Sequence, residues 1–277
     1  MEVIYNIMEF ILPFDFMQYD FMKNAFLAVI FVSPLLGLLG TMVVNNKMSF
    51  FSDALGHSAL TGVALGAVIG ISDYSISMII FAIAFALLLN FVKRKSKTEA
   101  NTIISVFSST AIAIGLVVLS KYGGINKYSA YLVGDILSIT TIELLVLLIA
   151  LVIITIIWIM IFNKLLAISV NSSLAKTKGI NTALIENIFV VLIAVIVMLT
   201  IRWVGILLIN SLLILPAASS RNISSNVRQY TRLTIAFSLL CGILGLFVSF
   251  VFGLATGPTI VVLSAIIYFV SLMLKKN

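Results

Sequence analysis

Glu143-Leu144-Leu145-Val146-Leu147-Leu148-Ile149-Ala150-Leu151-Val152-Ile153-Ile154-Thr155-Ile156-Ile157-Trp158-Ile159-Met160-Ile161-Phe162 carries one ionisable side chain, at its first position. About 20 apolar residues wound as an α-helix match the thickness of a bilayer's hydrocarbon core. A helix also satisfies its own backbone hydrogen bonds where lipid offers none. Segments 25–44, 54–72, 74–92, 101–120, 184–201, 204–219, 233–252 and 257–274 read the same way. The expected fold is therefore all-α and integral to the membrane: a polytopic bundle of eight to nine transmembrane helices in a single domain over 1–277. Whether eight or nine depends on 184–219, where Arg202, Trp203 and Gly205 interrupt a nearly continuous apolar run. That region is either two spans joined by a tight turn or one span plus a broken helix.

Composition agrees. Apolar residues make up 62% of the 277 and charged residues 10%, against roughly 25% charged in a soluble domain. The net charge of +7 does not point to nucleic acid, because the basic residues fall in short clusters between apolar runs, as topology signals do. The N-terminus has four acids (Glu2, Glu9, Asp15, Asp20) before its first base, Lys23. It does not resemble a cleaved secretory signal, which starts basic; residues 1–24 are expected to be extracytoplasmic or interfacial, with 8–18 lying along the membrane surface. Cys241, alone in an apolar run, reads as a small packing residue.

Basic residues set the orientation. With nine spans and the N-terminus outside, the inner connections hold Lys47; Lys93, Arg94, Lys95 and Lys97; Lys164, Lys176 and Lys178; Arg221, Arg228 and Arg232; and Lys275 and Lys276. These are 13 of the 17 basic residues. Only Lys23, Lys121, Lys127 and Arg202 remain outside. Eight spans would turn one basic cluster to the wrong side, so nine is preferred, with a cytoplasmic C-terminus. No G-x-x-x-x-G-K-[ST] occurs, so the chain has no P-loop for ATP.

Ionisable groups within a membrane span are candidate functional residues. The second span reads Asp53-Ala54-Leu55-Gly56-His57-Ser58-Ala59-Leu60-Thr61-Gly62-Val63-Ala64-Leu65-Gly66, and His57 is the only histidine of the chain. Asp53 and His57 stand at i and i+4 and share a helix face. A helix starting near Ser49 would carry His57 about 12 Å into the bilayer. Carboxylate oxygen with imidazole nitrogen suits Mn²⁺, Zn²⁺ or Fe²⁺. The competing reading is an acid at a helix start that only orients His57. Ala54, Ser58, Gly62, Gly66 and Gly70 form a small-residue stripe that admits close helix approach, within one subunit or at a dimer seam. Elsewhere, Asn210 and Ser211 are mid-span residues that either line a path or bond across helices, and Pro216 would bend or stop its helix. The connection 163–183 contains Ser173-Leu174-Ala175-Lys176-Thr177-Lys178-Gly179, helix-compatible and closed by glycine. Asp135 reads as a solvated outer-loop acid, with docking of a partner as the other option.

The stretch Asp53 to Leu65 resembles the D-A-L-S-H-A-x-L-P-G-V-A-L signature of the zinc/manganese-type permeases of ABC importers. Val204-Gly205-Ile206-Leu207-Leu208-Ile209-Asn210-Ser211-Leu212-Leu213-Ile214-Leu215-Pro216-Ala217-Ala218 is similar to that family's V-G-x-L-L-V-x-A-L-L-I-x-P-A-A, and Thr256-Gly257-Pro258-Thr259-Ile260-Val261-Val262-Leu263 also fits. The likeness runs in order from about residue 21 to the end. It implies a homodimeric permease served by two cytoplasmic ATPase subunits and an extracytoplasmic metal-binding lipoprotein, located in the plasma membrane. It further implies that Asp53 and His57 contact the transported Zn²⁺, Mn²⁺ or Fe²⁺, with no permanent cofactor, and that Ala175-x-x-x-Gly179 is the loop ATPase subunits grip. Gly56 and Thr61 depart from the family's Ser and Pro; neither position supplies a strong metal ligand, and Thr61 removes a kink. In this reading two protomers offer four ligands, and ATP hydrolysis in the separate subunits switches access. A protonated imidazole cannot ligate, so transport weakens as pH falls. The rival is a secondary metal transporter driven by an ion gradient, which would need no ATPase. An intramembrane serine protease lacks any nucleophile motif here such as G-x-S-x-G.

Overall fold

The computed structural model describes residues 18–71, 73–122 and 134–275. Ten α-helices follow in order: α1 (Asp20–Asn45), α2 (Phe51–Ile69), α3 (Tyr74–Lys95), α4 (Ala100–Tyr122), α5 (Thr141–Val170), α6 (Ser172–Thr177), α7 (Thr182–Val204), α8 (Ile206–Ile223), α9 (Val227–Phe252) and α10 (Thr256–Met273). A 3₁₀ turn at Ile136–Ser138 precedes α5. No strand occurs among the described residues. All nine expected spans are helices. The interfacial expectation for 8–18, and the basic residues Lys127 and Lys276, fall outside the described residues apart from residue 18.

Eight of these helices are long and apolar enough to cross a bilayer: α1, α3, α4, α5, α7, α8, α9 and α10. The remaining expected span, α2, is a helix of 19 residues whose acid, histidine and glycines make it less apolar. Twelve of those residues are buried, so α2 needs little lipid-compatible surface and tolerates polar groups. The doubtful region 184–219 is two helices, broken only at Gly205, whose φ of 79° is open to glycine. Two expectations change. The span predicted to end at Phe162 continues to Val170, because Lys164 marks a change of solvent and leaves the backbone helical. Pro216 sits inside α8 and does not end it; a proline costs one backbone hydrogen bond, which a membrane bundle absorbs. Large apolar side chains remain exposed along α5, among them Ile149, Val152, Ile156, Ile159 and Met160, as expected of a helix solvated by lipid.

Contacts gather the helices into two compact units. The first comprises α1 as far as Gly40, the 3₁₀ turn, α5 as far as Ile153, and α8 to α10. Here small residues set the spacing: a Cβ on Gly40 would lie 1.9 Å from the Leu213 carbonyl oxygen, and one on Gly245 2.2 Å from Ile260. The Ser238 hydroxyl donates to the Ser33 carbonyl, and the Asn222 amide donates to Ser271 Oγ at 3.0 Å.

The second unit comprises α2, α3, α4, α6 and the remaining parts of α1, α5 and α7. Its centre is α2. Gly62 lies against Met78 and Gly66 against Ser77, both on α3, and the Ser77 hydroxyl donates to the Gly62 carbonyl at 2.5 Å. On α4, Gly115 leaves room for Leu60 and Thr61. The Asn90 amide donates to Asn187 Oδ1 at 2.8 Å, tying α3 to α7. Much of the small-residue stripe on α2 thus serves packing within one chain, while Gly70 caps the helix at φ 80° with its surroundings open.

A side chain at position 62 would meet the α3 backbone, since a Cβ there lies 2.9 Å from Met78 Cα. Gly62→Val is expected to cost about 1–3 kcal/mol by overpacking. It should lower the melting temperature of the detergent-solubilised protein in fluorescence-detected size-exclusion chromatography, whereas Val68→Ala, at an exposed position, should leave it unchanged.

Candidate metal-transport site

The site begins at the turn between α1 and α2. Met48 N–H returns to the Val43 carbonyl at 2.9 Å, and Phe51 N–H bonds the Met48 carbonyl at 2.9 Å. This turn launches α2 with Asp53 in its first helical turn, where a carboxylate is favoured by the positive end of the helix dipole. Because α2 starts at Phe51 rather than near Ser49, His57 lies about 9 Å along the helix instead of about 12 Å.

His57 Nε2 and Asp53 Oδ2 are 3.5 Å apart. Their side chains keep 26% and 41% of their surface accessible. From Phe51 to Gly62 every other residue is buried. The acid and the histidine thus mark a side of α2 that the described residues leave only partly covered. Among the described residues no group of three or more His, Cys, Asp or Glu converges, and Asp53 and His57 stand here as a pair. Neighbouring polar residues are engaged in holding the helix. Ser58 Oγ donates to the Leu55 carbonyl at 2.7 Å, and the Thr61 hydroxyl donates to the Ala111 carbonyl of α4. A proline at that position would have no hydroxyl to offer.

Asn210 and Ser211 belong to the other compact unit. Ser211 is buried, its hydroxyl without a hydrogen bond among the described residues, and Asn210 is half-buried. The structure brings Asp53 to His57.

The connection 163–183 folds as the end of α5 followed by α6. Asn171 caps α6, accepting the Leu174 N–H at 3.1 Å. The far end closes in a left-handed Gly179, φ 77°, with Ile180 N–H returning to the Ala175 carbonyl at 3.1 Å. Ala175 is buried, while Leu174 is 61% exposed and Ser173, Lys176, Thr177 and Lys178 also face out. Ala175 therefore anchors the loop, and its neighbours form the surface a partner would meet. Asp135 is exposed and caps the 3₁₀ turn by accepting the Leu137 N–H at 3.1 Å. Together with Trp203, Leu254 and Thr256 it lines a cavity of about 200 Å³.

One grouping escapes sequence reading. Lys93 and Arg94 at the end of α3 share a cavity with Lys176 on α6 and Glu186 on α7. In the sequence these residues only mark an inner side; their convergence depends on contacts between elements some 80 positions apart.

The described family "ABC 3 transport family" matches residues 18–275. The high-affinity zinc uptake system membrane protein ZnuB of Haemophilus influenzae is 30% identical over 261 residues, spanning 94% of this chain and 100% of that protein. The manganese transport system membrane protein MntC of Listeria monocytogenes is 27% identical over 257 residues, with 93% and 91% covered. Among solved structures, PsaBC from Streptococcus pneumoniae in complex with Fab superposes with a TM-score of 0.79 at 25% identity, covering 98% of this chain and 95% of that one.

The left-handed Gly179 disfavours any side chain by about 1–2 kcal/mol. Gly179→Val is expected to loosen α6 and speed tryptic cleavage at Lys176 and Lys178 in detergent; Thr177→Val should cleave at the parent rate.

Proposed function

The chain belongs to the ABC 3 transport family, and from that premise we propose that it is the membrane-spanning permease of an ATP-driven importer for a divalent transition metal. Zinc and manganese are the cargoes in the names of its relatives; iron is a third candidate on ligand chemistry. The observation that carries the reading is the Asp53–His57 pair, partly accessible on an otherwise buried stretch of α2 between Phe51 and Gly62. Two donors of carboxylate and neutral imidazole suit a borderline divalent ion. A second copy of the chain would bring two more donors, completing four-coordination. A site divided between two subunits can be assembled to hold the ion and separated to release it, which conduction requires.

In this proposal 1–277 is one permease domain in the plasma membrane, with an extracytoplasmic N-terminus and a cytoplasmic C-terminus. Two observations support the grouping of the connections between spans by side, and the basic residues then set which side is inside. The outer connections expected from charge contribute together to one cavity, through Asp135, Trp203 and Thr256. The inner ones likewise share another, through Arg94 and Lys176. Without a P-loop of its own, the chain relies on separate ATPase subunits, which would grip the exposed face of α6 around the Ala175–Gly179 turn. An extracytoplasmic metal-binding lipoprotein would deliver the ion. Asn210 and Ser211 are assigned a secondary part, lining the path. Family membership favours this scheme over an ion-gradient transporter.

The test uses a metal-starved strain lacking other importers. Asp53→Ala and His57→Ala are each expected to reduce uptake by about tenfold or more and to abolish metal-dependent growth, at unchanged membrane abundance. Normal growth of both variants would refute the site. Cellular zinc, manganese and iron, measured with and without the gene, identify the cargo.

A further inference from the structure

A cavity of about 610 Å³ lies between the end of α3, α6 and the first turn of α7. Its walls include Lys93, Arg94, Lys176, Ser172, Thr182 and Glu186. Glu186 offsets Lys93, whose ammonium also donates to Met48 Sδ at 3.3 Å. Arg94 and Lys176 form no ion pair among the described residues, so the cavity holds two cations in excess of its acid. Hydroxyl groups of Ser172 and Thr182 add donors, and the positive end of the α7 dipole stands at the wall. This combination favours a phosphate group.

The surface beside the cavity selects the source of that phosphate. Phe91 lies one turn before Arg94, and Leu88 one turn before Phe91; they are 45% and 54% exposed. Leu184, in the first turn of α7, is 53% exposed. A basic recess at the end of a helix whose preceding turns expose Leu88 and Phe91, the latter with the Lys95 ammonium 4.5 Å over its ring, fits an amphiphile better than a free anion or an acidic protein segment. We propose that this cavity holds the headgroup phosphate of an anionic phospholipid from the inner leaflet, its acyl chains lying along Leu88 and Phe91. The proposal rests on the permease reading only for the side of the membrane. A lipid seated against α6 would make transport depend on anionic lipid through the loop offered to the ATPase. Basic pockets at the cytoplasmic ends of membrane helices are suited to such headgroups.

The complete importer, permease with ATPase subunits, is purified in detergent and titrated with short-chain phosphatidylglycerol, short-chain phosphatidylcholine and inorganic phosphate, with binding read by native mass spectrometry and calorimetry. Metal binding and uptake are not part of this readout, so failure here leaves the Asp53–His57 assignment standing. Phosphatidylglycerol is expected to bind preferentially. The R94Q/K176Q double variant, whose complex with the ATPase subunits is checked to be intact in the same mass spectra because Lys176 also lies on the face of α6 offered to them, should weaken that binding about thirty-fold, from about five-fold per basic residue at an anionic surface. Arg94→Lys with Lys176→Arg should retain it. Inorganic phosphate binding as tightly as phosphatidylglycerol would overturn the lipid source. Equal binding of phosphatidylglycerol by parent and double variant, or no binding by the parent complex, would overturn the site.

Discussion

Apolar helices already dissolved in lipid gain little by leaving it for one another, so association must come from close approach and from polar groups that find partners only across a helix contact. Glycine supplies the first where Gly40 meets the Leu213 carbonyl and where Gly62 meets Met78. Hydroxyls supply the second, Ser238 to Ser33 and Thr61 to Ala111. The same constraint explains why α2, with its acid, its histidine and its glycines, is wrapped by its neighbours. Its contacts on α3 and α4 need small side chains, and small side chains make a poor surface toward lipid.

That wrapping defines the site. A helix enclosed on all sides would bury Asp53 and His57 together with everything else, at the cost of desolvating a carboxylate. Instead, between Phe51 and Gly62, these two residues alone stay partly accessible. Their 3.5 Å separation places an acid where it can orient the imidazole or share an ion with it. The orienting alternative and the metal reading are therefore compatible.

Much of this was legible beforehand, because bilayer thickness imposes a length on each span and charge imposes a parity. The Asp53–His57 pairing followed from spacing alone, as i,i+4 geometry is local. What could not be read depended on contacts. Lys164 ended the expected fifth span in sequence terms, yet α5 runs on to Val170, since hydropathy reports solvent rather than backbone conformation. Of the bend or stop that Pro216 signalled, the stop does not occur. The burial of Ala175 and the meeting of Lys93, Arg94, Lys176 and Glu186 belong to tertiary packing and leave no periodic trace.

The anchoring of α6 has a mechanical consequence. Six residues are too few to stay helical unaided, and this helix is pinned at three points: the Asn171 cap, the buried Ala175 methyl and the left-handed Gly179 with its returning Ile180 amide. A push on Leu174 or Thr177 therefore cannot be absorbed by unwinding the loop. It passes as a displacement of the whole segment into the ends of α5 and α7, between which α6 is set. Stiffness in six residues converts a contact at the membrane surface into movement of two long levers.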